Sequence, residues 1–74
     1  MKITYDPEAD ALYIWLREVK LADSVDIEPG VTVDLDAHGH IAGIEVLDAS
    51  RRLTPEELTS VSYVNLLLAS AKAR

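Results

Sequence analysis

Cysteine is absent from this chain of 74 residues, and large aromatic residues are scarce. Without cysteine, neither disulfides nor a cysteine-based zinc site can stabilise a small fold. Phenylalanine is also absent, and one tryptophan and three tyrosines supply all the large rings. A domain of this length buries only about 60% of the surface that its unfolded chain exposes. We therefore expect a small core, supplemented by self-association into a dimer or a larger homo-oligomer.

Basic residues are few, since seven lysines and arginines stand against thirteen aspartates and glutamates, for a net charge of −6. Such a surface repels the phosphate backbone, so we expect no direct binding to nucleic acid. Residues 1–48 carry eleven acidic and three basic residues, whereas residues 49–74 carry two acidic and four basic ones. This asymmetry is compatible with a basic protein partner, with head-to-tail contacts between copies, or with a solvated surface that keeps the domain soluble.

Long apolar runs are missing as well. The longest strictly apolar stretch covers residues 66–69, far fewer than a bilayer requires. The N-terminus does not have the basic, apolar and small-residue succession of a signal peptide. The sequence therefore predicts a cytoplasmic protein that makes no membrane contact.

Turn signals recur every eight to twelve residues as far as residue 50, a spacing typical of an antiparallel sheet. Alternation of apolar and polar residues predicts strands over 2–5, 11–17, 24–28, 31–36 and 41–47.

Two of the predicted connections have distinct turn chemistry. Residues 36–39, Asp-Ala-His-Gly, suit a type I turn with Gly39 in the left-handed region. Pro29-Gly30 suits a type II turn, whose twist splays a two-residue hairpin. We therefore expect a tight hairpin at the first of these connections and a corner or looser connection at the second.

Residues 54–58 have the features of a helix start. Thr54 suits the N-cap, Pro55 the first turn, and Glu57 completes a capping box. Apolar residues then follow at three- and four-residue steps, so one stripe can lie on the sheet. The sequence predicts a helical segment over 54–72, with a break near Ser62 as the alternative.

These elements together predict one small α+β domain over residues 1–74. It consists of an antiparallel meander sheet of four to five strands within residues 1–50, with a C-terminal helix or broken helix packed on one face. We expect residues 50–52 to form a solvated connection. The inner face, which the helix would cover, is predicted to carry Ile3, Tyr5, Leu12, Ile14, Leu16, Val25, Ile27, Val31, Val33, Leu35, Ile44 and Val46.

The opposite face combines two large rings with acidic side chains. A single helix cannot cover both faces of the sheet, so these rings are open to a docking partner or a dimer contact. Equally, they can be surface aromatics shielded by lysine and arginine stems. The candidate interaction face consists of Tyr13, Trp15, Asp26, Glu28, Asp34, Asp36 and Glu45.

No set of residues supports catalysis or a metal site. Residues 6–10 begin like a calcium loop, but Ala11 stands where that loop needs glycine, and Arg17 where it needs a bidentate glutamate. His38 and His40 lie in a predicted turn without a clear fourth ligand. A general acid requires a desolvated carboxyl group, and no pocket is predicted beside the acidic residues. We expect no catalytic residues, no cofactor and no metal.

Several short segments of the chain resemble the small prokaryotic family called domain of unknown function 2283. The similarity covers residues 1 to about 53. It is carried by Tyr5-Asp6, residues 10–14, Pro29-Gly30-Val31, residues 34–39 and residues 43–50.

The resemblance implies a short single-domain protein with an antiparallel sheet and C-terminal helical structure. No established catalytic residues of the family can be carried over. Some members are thought to be encoded beside a small candidate toxin, which makes this type of protein a candidate antitoxin. The segment from Thr54 to Arg74 lies outside the similarity. The family-motif residues, to which we assign structural roles, are Tyr5, Asp6, Asp10, Gly39, Gly43, Asp48 and Ser50.

The sequence thus favours a non-catalytic, homo-oligomeric protein-interaction module, with a candidate antitoxin-like role toward a small basic protein. The alternative is a domain that binds a small ligand or a metal on its acidic face.

Overall fold

Five strands form one antiparallel sheet in the computed structural model, which describes residues 1–67. Two short helices follow the last strand, so the predicted α+β class is confirmed. The elements are β1 Lys2–Asp6, β2 Ala11–Trp15, β3 Asp23–Glu28, β4 Val31–Leu35, β5 Ile41–Leu47, α1 Ala49–Arg52 and α2 Pro55–Thr59.

The strand order is β1-β2-β5-β4-β3, which departs from a simple meander at one place. β2 pairs with β5, and β3 lies at the far edge of the sheet. Residues 16–22 connect β2 to β3 by passing the ends of β5 and β4, which lie between them in the sheet. The Leu16 amide donates to the Ala42 carbonyl at 2.9 Å, and the Ala22 amide donates to the Leu35 carbonyl at 2.8 Å. Local alternation predicted the strands but could not predict which of them become neighbours.

The register separates the sheet into two chemically different faces, because paired residues on adjacent strands point to the same side. The polar face carries Lys2, Thr4, Asp6, Ala11, Tyr13, Trp15, Ser24, Asp26, Thr32, Asp34, Gly43, Glu45 and Leu47. The apolar face carries Ile3, Tyr5, Leu12, Ile14, Val25, Val31, Val33, Leu35, Ile44 and Val46. The residues that alternation assigned to the inner face do share one face, apart from Ile27, which falls in a bulge, and Leu16, which lies beyond β2.

The turn between β4 and β5 has the predicted form. The Gly39 amide donates to the Asp36 carbonyl at 3.0 Å, and the Asp36 amide donates to the His40 carbonyl at 2.9 Å. Gly39 has φ +79°, in the left-handed region that glycine tolerates best.

The expectation of a loose connection at Pro29-Gly30 was wrong. Glu28 pairs directly with Val31, so these two residues close a tight hairpin between β3 and β4. Gly30 has φ +85°, which fits the third position of a type II turn. A bulge between Asp26 and Glu28 supplies extra local twist, which lets this turn join two paired strands.

Within the described residues the C-terminal segment is a broken helix, as the predicted alternative of a break near Ser62 has it. α2 has the predicted capping box, in which the Thr54 hydroxyl accepts from the Glu57 amide and the Glu57 carboxylate accepts from the Thr54 amide. The helix nevertheless ends at Thr59, and residues 60–65 have no regular structure before helical geometry returns at 66–67. The run Thr-Ser-Val-Ser-Tyr-Val over 59–64 contains only weak helix formers. Residues 68–72 of the predicted segment lie outside the described residues.

Residues 50–52 are exposed as predicted and connect β5 to α2, but the sequence analysis missed that Ala49–Arg52 form the short helix α1. The predicted sheet region, residues 1–50, therefore ends at Leu47. The Leu53 amide donates to the Ala49 carbonyl at 2.9 Å and closes the turn.

The core of the described part of the chain is thin. Within residues 1–67 the buried apolar residues are Val33, Ala42 and Ala49, and no large side chain is fully buried. No helix within the same residues is long and apolar enough to cross a membrane.

Candidate functional site

Tyr13 reaches across the polar face from β2 to β4. Its hydroxyl donates to Asp34 Oδ2 at 2.5 Å, although β5 lies between the two strands. The Ser24 hydroxyl on β3 donates to the other oxygen, Asp34 Oδ1. One carboxylate therefore links three strands of the sheet.

Gly43 is the β5 residue over which the tyrosine passes. A Cβ atom at this position would overlap the Tyr13 hydroxyl and lie 2.7 Å from the ring carbon that bears it. Gly43 pairs with Trp15 on one side and with Asp34 on the other, so it lies on the line that the tyrosine follows. A glycine is required here because of this close approach rather than because of its backbone conformation.

The two rings of the polar face contact each other. The centroids of Tyr13 and Trp15 are 4.7 Å apart, with the planes tilted by 51°. Both residues are half-buried. Burial raises the pKa of Tyr13 to about 12, and the hydrogen bond to Asp34 and the charges of Asp34 and Glu45 act in the same direction. The tyrosine is therefore neutral and a hydrogen-bond donor across the physiological range.

Two further acidic residues of the predicted interaction face share this surface. Asp26 accepts a hydrogen bond from the Thr32 hydroxyl at 3.2 Å. Glu45 stands directly opposite Tyr13 and also opposite Thr32. The structure therefore places Tyr13, Trp15, Asp26, Asp34 and Glu45 on one face, with Asp26 three strands away from the two rings.

The other two predicted acidic residues lie at the ends of strands and pair with arginines. Asp36 contacts Arg17 at 2.8 Å, and its Oδ1 accepts from the backbone amides of His38 and His40. The Arg17 hydrogen bond and the His40 amide hold the pKa of Asp36 well below its usual range. Glu28 contacts Arg52 at 3.5 Å. These two carboxylates are compensated within the chain.

A second carboxylate cluster joins the β1–β2 turn to α1. Asp10 Oδ1 accepts from the Tyr5 hydroxyl at 2.7 Å and from the Ser50 amide at 2.9 Å, and Oδ2 accepts from the Ser50 hydroxyl at 2.6 Å. The bonds from Ser50 and Tyr5 lower the pKa of Asp10, whereas the bond to Asp10 raises the pKa of Tyr5. Asp10 itself has φ +51°. Three of the family-motif residues thus form one contact group.

The remaining family-motif residues lie at turns or beneath the tyrosine. Asp6 Oδ1 accepts from the amide of Glu8 at 3.0 Å within the β1–β2 turn. Asp48 has φ +53° and precedes α1.

The described part of the chain provides no ligand set for metal binding, the alternative function considered from the sequence. Within residues 1–67 no group of three or more histidine, aspartate or glutamate side chains is placed to hold a metal ion. His38 and His40 contribute backbone amides to the turn.

The apolar face of the sheet is a second candidate site, which the sequence analysis did not name as one. Leu58 and Val61 face β1 and β2 across a cleft of about 300 Å³, which Ile3, Leu12 and Ile14 also line. Among residues 1–67, no such neighbour lies over the rest of the apolar face, and Val25 on β3 is 45% exposed. The sequence did not indicate this opening, because a helix over the predicted residues 54–72 would be about 28 Å long and could span five strands. The observed α2 ends at Thr59.

Comparisons with known proteins give two curated relatives. The chain is 34% identical over 64 residues to the "Putative hypoxanthine phosphoribosyltransferase" of Methanosarcina mazei, covering 84% of this chain and 51% of that protein. It is 35% identical over 51 residues to the "Uncharacterized protein MJ0789" of Methanocaldococcus jannaschii, covering 69% of this chain and 43% of that protein. The chain therefore spans about half the length of these relatives.

The family comparison agrees with the resemblance noted from the motifs. No solved structure matches the chain. The model of the family described as "Protein of unknown function (DUF2283)" matches residues 2–50, which cover the whole sheet and the start of α1. The chain belongs to this family.

Proposed function

We propose that this chain is a non-catalytic protein-interaction module that works as a homo-oligomer, with its apolar sheet face buried against another protein chain. One observation carries the proposal: no large side chain within residues 1–67 is fully buried, although five strands contribute apolar residues to one face. An apolar sheet face is stabilised when a second layer covers it. α2 has only five residues, and it covers one end of this face.

The carboxylates of the chain support a non-catalytic role. A carboxyl group that acts as a general acid near neutral pH needs a raised pKa. Here Asp10, Asp36 and Glu57 have pKa values shifted downward, because each accepts hydrogen bonds in its charged form. Asp34 is occupied by the hydroxyls of Tyr13 and Ser24.

The name of the Methanosarcina mazei relative does not change this proposal. That name specifies phosphoribosyl transfer, whose substrates carry phosphate groups and favour cationic or amide-lined sites. The polar face of this chain carries Asp26, Asp34 and Glu45, and Arg17 and Arg52 are engaged with carboxylates. The chain also matches only about half of that relative.

The mass of the protein in solution tests the proposal. Sedimentation velocity over a concentration series at and above the micromolar range is expected to give a mass of at least twice the 8.1 kDa of one chain. Association and thermal stability should rise together with concentration, because burial of the open face contributes to both. A monomer that keeps a sharp, concentration-independent thermal transition would show that the fold needs no partner.

A second candidate function uses the polar face, where an antitoxin-like docking of a small basic protein is favoured by the charge pattern. Asp34 and Glu45 lie next to Tyr13, and Asp26 lies farther out on β3 on the same face. None of the three forms an ion pair within the described residues. A basic partner would supply those charges and cover the rings.

Capture from the native host, with mass analysis of the bound protein, tests this second function. A stoichiometric small basic protein is expected, and its affinity should fall sharply for Trp15→Ala combined with Glu45→Lys. Trp15→Ala with Glu8→Lys is the matched control, because it makes the same charge change in an exposed turn. Wild-type affinity in both variants would place the contact elsewhere, whereas equally weakened binding in both would keep Trp15 as the contact and exclude Glu45.

A further inference from the structure

A short apolar segment leaves the fold after α2. We call residues 61–67 the C-terminal arm. Its large apolar residues, Val61, Tyr63, Val64, Leu66 and Leu67, are between 61% and 78% exposed. So many large apolar side chains in one exposed run are uncommon on a monomeric surface and indicate an interaction site.

The arm runs along an edge of the sheet and does not cover the open part of the apolar face. Val61 and Tyr63 lie beside Met1 and Ile3, at the start of the edge strand β1. The open part of the face, around Val25, lies on β3 at the opposite edge of the sheet. Neighbouring strands are about 4.8 Å apart, so the two edges are separated by roughly 19 Å.

From these positions we infer that the open apolar face is occupied by the C-terminal arm of a second copy of this chain, and that the two copies exchange arms reciprocally. The inference rests on the proposed function, because it names the partner of the same face. A two-fold axis brings each arm to the partner's face with the same contact formed twice, which is the closed arrangement that homodimers favour. The exchange places both exposed apolar surfaces of the chain against each other.

The areas agree with a reciprocal exchange. The five large side chains of the arm offer roughly 400 Å² of exposed apolar surface, if an aliphatic side chain carries about 100 Å² and a tyrosine about 150–250 Å². A segment and the surface it covers lose similar areas. Two exchanged arms therefore bury roughly 800 Å² on each copy, the size of a standard stable interface. A single one-way contact would bury only about half of that area.

Complementation between two variants tests the exchange. The arm variant combines Leu66→Ser and Leu67→Ser, which lie beyond the capped helix and leave the sheet unchanged. The face variant is Val25→Lys, an exposed position on an edge strand where lysine is well tolerated. Val19→Ser is the matched control, because Val19 is an exposed apolar residue in the connection between β2 and β3. Circular dichroism checks that every variant keeps the sheet.

The expected result is a wild-type dimer, at least a tenfold weaker dimer for the arm variant and for the face variant, and an unchanged dimer for the control. An equimolar mixture of the arm and face variants should associate more strongly than either alone, because it contains one intact arm and one intact face. Val25→Thr, which keeps the shape of the side chain, should weaken the dimer less than Val25→Lys.

Different failures separate the inference from the proposed function. If the arm variant dimerises like the wild type while Val25→Lys does not, the face is an interface but the arm is not its occupant. If the mixture associates no better than its components, the exchange is wrong. If the wild-type chain is a monomer at every concentration, both the inference and the proposed function fail.

Discussion

The two faces of the sheet differ in whether their side chains find contacts within the sheet itself. On the polar face, Tyr13, Asp34 and Ser24 bond to one another, and Trp15 contacts the tyrosine ring. On the apolar face, the side chains beyond the cleft under Leu58 have no second layer within the described residues. Polar groups can pair within a single layer because hydrogen bonds join neighbouring strands directly. Apolar groups need a covering layer, and the association proposed above would supply one.

The largest expected effect comes from a substitution at Gly43, where the Tyr13 side chain passes closest to the backbone of β5. Gly43→Ala should destabilise the fold by about 2 kcal/mol, because the new Cβ overlaps the tyrosine hydroxyl and Tyr13 must give up its bond to Asp34. Urea unfolding followed by circular dichroism measures the loss.

A double variant provides the control for that prediction. In a Tyr13→Ala background the position is open, so Gly43→Ala should be neutral or stabilising by about 0.5 kcal/mol, as expected for alanine over glycine in a strand. A similar cost in both backgrounds would mean that the tyrosine does not impose the glycine.

An intermediate effect concerns the hydrogen bond of the same tyrosine at alkaline pH. The folded-state pKa of Tyr13, about 12, lies above its ordinary value of 10.0, so its contribution to stability is complete below pH 10.0. This contribution is lost as the pH rises toward about 12, because the unfolded chain releases the proton first. Urea midpoints across this range should fall for the wild type.

Tyr13→Phe tests whether the Tyr13 hydroxyl causes the loss of stability at alkaline pH. It should cost about 1 kcal/mol near neutral pH through the lost hydrogen bond. It should also flatten the alkaline decline relative to the wild type. An unchanged decline would assign the alkaline effect to other groups.

The smallest expected effect lies at the margin of the sheet, where Asp36 pairs with Arg17. The pKa of Asp36 is lowered by Arg17 from the ordinary value of 3.8, so its contribution is present above that pH and is lost as the pH falls through the folded-state value. Asp36→Asn should lower stability slightly at neutral pH and reduce the slope of stability between about pH 4 and about pH 2. Asp23→Asn is the control, because Asp23 lies on an exposed edge strand outside this ion pair. Identical acid slopes for both variants would contradict the assignment.

Much of this arrangement could be predicted from local sequence patterns. Strict alternation in residues 24–26 and 31–35 separated polar from apolar side chains correctly, whereas the bulge after Asp26 removed Ile27 from its predicted face. Gly39 and Thr54 predicted a turn and a helix start, because both signals depend on neighbours within a few residues.

What could not be predicted depends on contacts between distant parts of the chain. The pairing of β2 with β5 is set by which sheet order buries the most apolar surface, and alternation is the same for every order. The contact of Tyr13 with Asp34 over Gly43 follows from that order. α1 was missed for the same reason, since the Asp10 carboxylate that binds Ser50 is 40 residues away in the chain.

The crossing from β2 to β3 has a consequence for synthesis on the ribosome. The seam between β2 and β5 joins Trp15 to Gly43 and Ala11 to Leu47, pairs that are 28 and 36 residues apart. The β1–β2 hairpin is therefore synthesised well before β5, the strand that pairs with β2. Until β5 follows, Leu12 and Ile14 lie on a strand whose edge is unpaired. A nascent chain of this protein is most vulnerable to misassociation during that interval, which ends when residue 47 leaves the exit tunnel.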